Sequence, residues 1–148
     1  MTATAPSETG LVNYSKIGFK GDIITSASKL IVFIEPPQVL TTVGWTSPDV
    51  PVAIAQAEPT YPISADVLDQ FALDMADGET LYWRIDPASD ADFIQYCSVP
   101  ASSIVSSGSV STTFTNSTNQ GAGTTGAVQV SQNQSTWFTS PSITFENL

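Results

Sequence analysis

The fold of this chain is decided by residues 81–86, Leu-Tyr-Trp-Arg-Ile-Asp, and residues 93–99, Phe-Ile-Gln-Tyr-Cys-Ser-Val. Both runs are rich in aromatic and β-branched side chains, which are enriched in β-strands. Between them lies a short acidic stretch, Pro-Ala-Ser-Asp-Ala-Asp, at residues 87–92. Two such runs joined by a polar loop predict a β-hairpin. We expect this hairpin to be the central pair of a β-sheet.

Short strand candidates surround the hairpin on both sides. The continuous apolar run at residues 30–34 has the length of a strand, and residues 39–45 resume in extended form after two prolines. Pro51 limits residues 50–55 to an edge strand, because proline cannot donate to a ladder. Downstream, alternation of apolar and polar residues predicts strands at residues 103–106, 109–114, 127–131, 136–139 and 142–145, with a mobile loop over 115–126.

One segment has a different period. Val67, Leu68, Phe71, Ala72 and Met75 recur at spacings of three and four residues, which predicts an amphipathic helix over residues 64–76. The helix would begin with a serine as its N-cap and end at an Asp-Gly pair.

About ten short strands and one short helix predict an all-β, mainly antiparallel fold. We expect a β-sandwich of short strands, immunoglobulin/fibronectin-like or jelly-roll-like. The sequence divides into a flexible N-terminal arm, residues 1–10, and a single β domain, residues 11–148. The core should include the following large apolar residues: Leu30, Val32, Ile34, Phe71, Trp83, Ile85, Phe93 and Ile94.

Two short motifs support a sandwich. The strand containing Tyr82, Trp83 and Arg84 and the final segment Ser-Pro-Ser-Ile-Thr-Phe at residues 140–145 resemble fibronectin type III-like domains. The resemblance covers under a fifth of the chain and implies a two-layer antiparallel fold. The predicted helix and the proline-rich segment at residues 46–62 depart from that pattern.

The net charge of the chain argues against some classes of binding partner. The 148 residues carry 14 acidic and 4 basic side chains, a net charge of −10. Nucleic-acid binding needs a basic surface, so we expect neither nucleic acid nor an anionic membrane as partner. The N-terminus shows neither the basic nor the apolar region of a signal peptide. A surface dominated by Ser, Thr, Asn and Gln is common in virion and extracellular proteins, the locations that we expect.

The side chains that most catalysis uses are scarce. The chain has no histidine and a single cysteine, so Ser-His-Asp and Cys-His arrangements and the usual zinc sites are ruled out. Cys97 lies in a predicted strand, where we expect a small buried apolar residue. We therefore predict that the protein is not an enzyme and needs no organic cofactor.

Two local features suggest ligands. Asp86, Asp90 and Asp92 place three carboxylates on one predicted turn, and calcium takes six to eight oxygen ligands, often from such loops. The turn is either a calcium site or a solvated acidic loop. The alternative function is a carbohydrate- or surface-ligand-binding module, which bound calcium could stabilise. Its stacking surface would come from Trp45 and Trp137, together with Tyr61 and Trp83.

The function that we favour is a structural subunit that packs with copies of itself and with other structural proteins, as in a bacteriophage or viral virion. A polar arm joined to a marginal strand, residues 11–20, suits addition to the open sheet edge of a neighbour. We therefore expect an intersubunit contact that includes Thr2, Gly10, Leu11, Tyr14 and Lys20.

Overall fold

A computed structural model describes residues 36–148 in full and, before them, the backbone of residues 11–14 and 29–32. The chain divides into two compact units, Met1–Pro37 and Gln38–Leu148. In the first unit, β1 (Leu11–Tyr14) pairs antiparallel with β2 (Lys29–Val32). Leu30 and Val32 therefore lie in a strand, as predicted, while their side chains and the whole of Ile34 fall outside the described residues.

The second unit is built of short strands and one short helix. In chain order the elements are β3 (Leu40–Ser47), β4 (Val52–Ala55), β5 (Thr60–Asp69), β6 (Thr80–Ile85), α1 (Ala91–Tyr96), β7 (Cys97–Ser98), β8 (Ser102–Ile104), β9 (Ser109–Asn116), β10 (Thr125–Gly126), β11 (Val128–Ser131), β12 (Phe138–Thr139) and β13 (Ile143–Glu146).

These strands form three sheets. The first sheet has the order β3-β5-β9-β7, the second β12-β11-β6-β8, and the third β10-β13-β4. All pairs among the described strands are antiparallel except β13 with β4, which is parallel. β4 lies at an edge, as the proline before it predicted. The predicted all-β, mainly antiparallel class is confirmed, and the sheets have a sandwich-like arrangement.

The core lies where the inner faces of these sheets meet. Trp45 of the first sheet contacts Trp83 of the second, with ring centroids 6.2 Å apart. Phe93 of α1 stacks on Phe114 of β9 at 5.2 Å and lies 5.9 Å from Phe145 of β13, so one aromatic cluster joins the helix to the first and third sheets. Offset and tilted aromatic pairs of this kind stabilise a core beyond the area that they bury.

The predicted helix over residues 64–76 is wrong. Its first half belongs to β5, where Ile63, Ala65 and Val67 are buried in alternation. β5 hydrogen-bonds β3 on one side and β9 on the other, and this pairing satisfies its backbone along most of its length. Phe71, which was predicted to be a core residue, therefore lies in the loop after β5 and is 59% exposed.

The predicted central hairpin is also wrong, although its first strand is present as β6. β6 pairs with β11 and β8, which come much later in the chain. The second run instead forms α1, whose first hydrogen bond runs from the Ile94 amide to the Asp90 carbonyl at 3.0 Å. The helix buries Phe93 completely and leaves Ile94 45% exposed, so the core prediction holds for Phe93 and fails for Ile94. Trp83 is buried and Ile85 packs against the core, as predicted.

Candidate functional site

The acidic turn is built from hydrogen bonds to the third sheet. Asp90 Oδ2 accepts a bond of 2.7 Å from the Thr125 amide, and Asp86 Oδ1 accepts one of 2.9 Å from the Ala88 amide. Asp92 is exposed in the first turn of α1. Within residues 36–148, no group of three or more His, Cys, Asp or Glu side chains is close enough to hold a metal ion.

Two of the three predicted calcium ligands nevertheless share a surface groove. A cavity of about 320 Å³ is lined by Asp86, Asp90 and polar groups that include Ser89, Thr125 and Ser142. Asp92 is not part of this lining. Calcium binding at Asp86, Asp90 and Asp92 therefore stays a prediction.

The predicted stacking tryptophans lie in different environments. Trp45 is half-buried against Trp83, and Trp83 is buried with its indole nitrogen donating to Ser103 Oγ at 2.7 Å. Tyr61 packs against the same core. These three rings contribute to the core, and ligand binding at Trp45 and Trp137 stays a prediction.

Trp137 instead covers the single arginine of the second unit. The Arg84 guanidinium carbon lies 3.9 Å from the centroid of the Trp137 ring, a cation–π contact. Arg84 Nε donates to Gln129 Oε1 at 2.7 Å, and Gln129 Nε2 donates to Thr139 Oγ1 at 2.9 Å. The three polar side chains form a row across the second sheet, with the half-buried Trp137 at one end.

Cys97 is buried in β7, as predicted, with a relative exposure of 6%. Burial raises the pKa of its thiol to about 12. Because the thiolate is the nucleophilic form, this side chain is unreactive at neutral pH.

The predicted intersubunit contact falls mainly on residues that the structure does not describe. Thr2, Gly10 and Lys20 lie outside the described part of the chain. Leu11 and Tyr14 are the first and last residues of β1. Whether these residues contact a neighbour remains a prediction.

A feature that the sequence did not indicate is an apolar turn held by a buried carboxylate. Asp69, at the end of β5, accepts hydrogen bonds from the Phe71 and Leu73 amides at 2.8 and 3.0 Å. These bonds hold the turn so that Phe71 and Leu73 are 59% and 62% exposed. Of these two residues, Phe71 belonged to the predicted helix face, and the burial of Asp69 explains why the chain turns here instead.

A second unpredicted feature is the edge of the first sheet. β3 pairs with β5 on one side only, and its eight residues contain neither a charge nor a proline. The Gln132 side chain accepts from the Leu40 amide and donates to the Gln38 carbonyl, which covers the start of the edge. Beyond Leu40, no strand or side chain of residues 36–148 hydrogen-bonds the open edge of β3.

A groove of about 380 Å³ lies on the outer face beside this edge. It is lined by Thr42 and Gly44 of β3, by Asp66 and Leu68 of β5, and by Asp74, Ser107 and Gly108. Asp66 lies opposite Gly44 in the strand register. The groove therefore contains two acidic residues and adjoins an edge that no strand of residues 36–148 pairs.

In the part of the chain that the structure describes, no helix is long and apolar enough to cross a bilayer.

The chain matches no protein-family pattern, and no curated protein shows significant similarity to it. Among solved structures it is similar to the S-layer protein SbsC. Structures of SbsC domains 4 and 5, of surface layer protein SbsC domains 1–6, and of rSbsC(31-844) align with TM-scores of 0.47, 0.49 and 0.50 at 13%, 12% and 14% identity. Each alignment covers 81% of this chain but only 59%, 14% and 15% of the SbsC chains. At such identities the likeness is one of fold.

Proposed function

We propose that this chain is a non-enzymatic structural protein that associates with copies of itself within a larger protein assembly. The observation that carries the proposal is the open edge of β3. An exposed edge strand presents unpaired amide and carbonyl groups, which are a template for pairing with another chain. Proteins that stay monomeric blunt such edges with charges, prolines or very short strands.

β3 differs from the other sheet edges of the second unit. The edge strands β7, β10 and β12 have two residues each, β8 has three and β4 has four. β3 has eight and carries only neutral side chains. Register shifts near its two ends leave residues 42–45 in regular pairing with β5, so this part of the edge is suited to add a further strand.

The proposed assembly is a surface layer or shell. The resemblance in fold to domains of a surface layer protein supports this setting, as does a surface of mostly neutral Ser and Thr side chains. Among such assemblies, we favour the shell of a bacteriophage or viral virion. The net charge of −10 would keep free subunits soluble before assembly.

The first test is to block the edge. Thr42→Lys places a charge at an exposed position of β3, whereas Thr113→Lys makes the same substitution at an exposed position of β9, two strands away. We expect wild-type protein and Thr113→Lys to self-associate with increasing concentration in multi-angle light scattering and to show ordered particles by electron microscopy. Thr42→Lys should remain smaller. A wild-type chain that stays monomeric at high concentration would contradict the proposal.

The N-terminal arm is the second element of the proposal. Residues 2–20, with Thr2, Gly10, Leu11, Tyr14 and Lys20 as contact residues, would add to the open edge of a neighbour. Deleting residues 1–10 should reduce assembly in the same assay. Unchanged assembly after the deletion would remove the arm from the proposal and leave the role of β3 intact.

A second candidate function is a binding module for carbohydrate or another surface ligand. The observation in its favour is Trp137, a half-buried ring over Arg84, whose guanidinium has no carboxylate partner among residues 36–148. A glycan array with wild-type protein and Trp137→Ala tests it, and binding that Trp137→Ala retains would exclude this site.

Calcium binding at the acidic turn has its own test. Adding calcium should raise the melting temperature of the wild-type protein, and the double variant Asp90→Asn/Asp92→Asn should lose this rise.

A further inference from the structure

The charges of the chain are divided between its two units. Three of the four basic residues, Lys16, Lys20 and Lys29, belong to Met1–Pro37, and eleven of the fourteen acidic residues belong to Gln38–Leu148. The second unit thus holds Arg84 as its only cation. The side chains of the first unit therefore sum to no net charge, three lysines against three acids, and those of the second sum to −10, eleven acids against one arginine.

Two of those carboxylates lie beside the open edge. Asp66 Oδ1 accepts a bond of 2.7 Å from Ser109 Oγ, which orients the carboxylate on the outer face of the first sheet. A Cβ at Gly108 would lie 2.6 Å from Asp74 Cγ, so the Asp74 carboxylate lies close against the Gly108 backbone. Both carboxylates line the groove next to Thr42 and Gly44.

Gly44 leaves a path from the edge to this groove. It lies directly opposite Asp66, and a Cβ at Gly44 would meet only the Asp66 carbonyl oxygen, at 3.9 Å. A strand added to β3 would run about 9.6 Å from β5, twice the usual interstrand distance. A lysine on that strand opposite Gly44 can extend its flexible four-carbon stem across the glycine towards Asp66.

We propose that β3 and this groove bind the lysine-bearing N-terminal unit of a second copy of the chain. The partner's extended backbone pairs with residues 42–45, and its lysine side chains contact Asp66 and Asp74. The backbone pairing supplies affinity, and the ion pairs set the register and direction of the added strand. This inference rests on the proposed function and names the two surfaces that carry out the assembly.

The first experiment removes the groove charges without changing side-chain shape. Asp66→Asn/Asp74→Asn should weaken self-association about tenfold in sedimentation or light scattering, as expected for the loss of two partly exposed ion pairs. The matched control, Asp49→Asn/Glu58→Gln, removes the same charge at exposed positions that do not line the groove. Circular dichroism and melting curves verify that each variant is folded. An equal loss in the control, or no loss in the groove variant, would overturn the inference.

The second experiment tests whether the contact joins two molecules. Variant A carries Asp66→Lys and Asp74→Lys, and variant B carries Lys16→Glu, Lys20→Glu and Lys29→Glu. Neither should assemble alone, but a mixture should, because each molecule then meets a complementary charge. Separate variants that assemble normally, or a mixture that does not, would contradict the inference while the proposed function stands. A wild-type chain that never assembles would contradict both.

Discussion

At the scale of single residues, buried Asp69 has the largest effect on its surroundings. Burial raises the pKa of the Asp69 carboxyl, whereas the hydrogen bonds that it accepts from Leu73, Phe71 and Gln38 lower it. The hydrogen bonds together outweigh burial, so the pKa lies below its ordinary value of 3.8. One carboxylate thus organises the turn that exposes two large apolar side chains.

This gives a prediction about pH. Because the folded state lowers the pKa of Asp69, its ionised form stabilises the native protein above about pH 4, and this contribution is lost as the pH falls through the lowered value. Asp69→Asn should be less stable than wild type at pH 7 in urea unfolding. The difference between the two should shrink in acid. A difference that does not change with pH would contradict the role of the ionised carboxylate.

Gly126 is the second residue with a specific requirement. A Cβ at this position of β10 would overlap the ring of Phe93, which is fully buried against Phe114 and Phe145. We expect Gly126→Ala to cost about 1–3 kcal/mol of unfolding free energy, the usual range for overpacking a core. Gly121→Ala is the control, because the nearest atom to its Cβ would be Thr124 Oγ1 at 3.6 Å. Equal stability of the two variants would show that Phe93 can move aside.

At the scale of elements, sequence patterns were least reliable where strands pair over long distances in sequence. β6 takes its partners from residues 102–104 and 128–131, so no local turn signal indicated them. The apolar residues of residues 64–76 matched a helical period, yet the alternating set Ile63, Ala65 and Val67 is the one that the core buries. Burial between two sheets outweighed a local preference of a few tenths of a kcal/mol per residue.

The pairing of these strands predicts their relative protection from hydrogen exchange. β5 is bonded on both sides and lies over the core, whereas β7 and β12 are two-residue strands at sheet edges. Amides of β5 should therefore exchange only on global unfolding, and those of β7 and β12 by local opening. The measurement is native-state exchange followed by NMR. Rapid exchange throughout β5 would show that the segment is not a stable strand.

At the scale of the whole molecule, the second unit contains a buried cluster of its own. Every residue of the buried cluster lies between Leu40 and Phe145. We expect a fragment of residues 38–148 to fold and to melt cooperatively within a few degrees of the full chain. If residues 11–148 instead form one cooperative domain, as the sequence suggested, removing residues 11–37 would lower the melting temperature by much more. Calorimetry of the fragment and the full chain distinguishes the two.

The sequence by itself determined the class of fold, the short and mostly neutral strands, the burial of Trp83, Phe93 and Cys97, and the scarcity of catalytic side chains. These follow from composition and from local alternation, which act within a few residues. Only the tertiary structure decided that residues 60–69 form a strand, that Phe93 is buried from a helix, and that β3 is an edge with an acidic groove beside it. An edge is defined by the partner that a strand lacks. Its position depends on how segments far apart in sequence pair, and no local pattern carries that information.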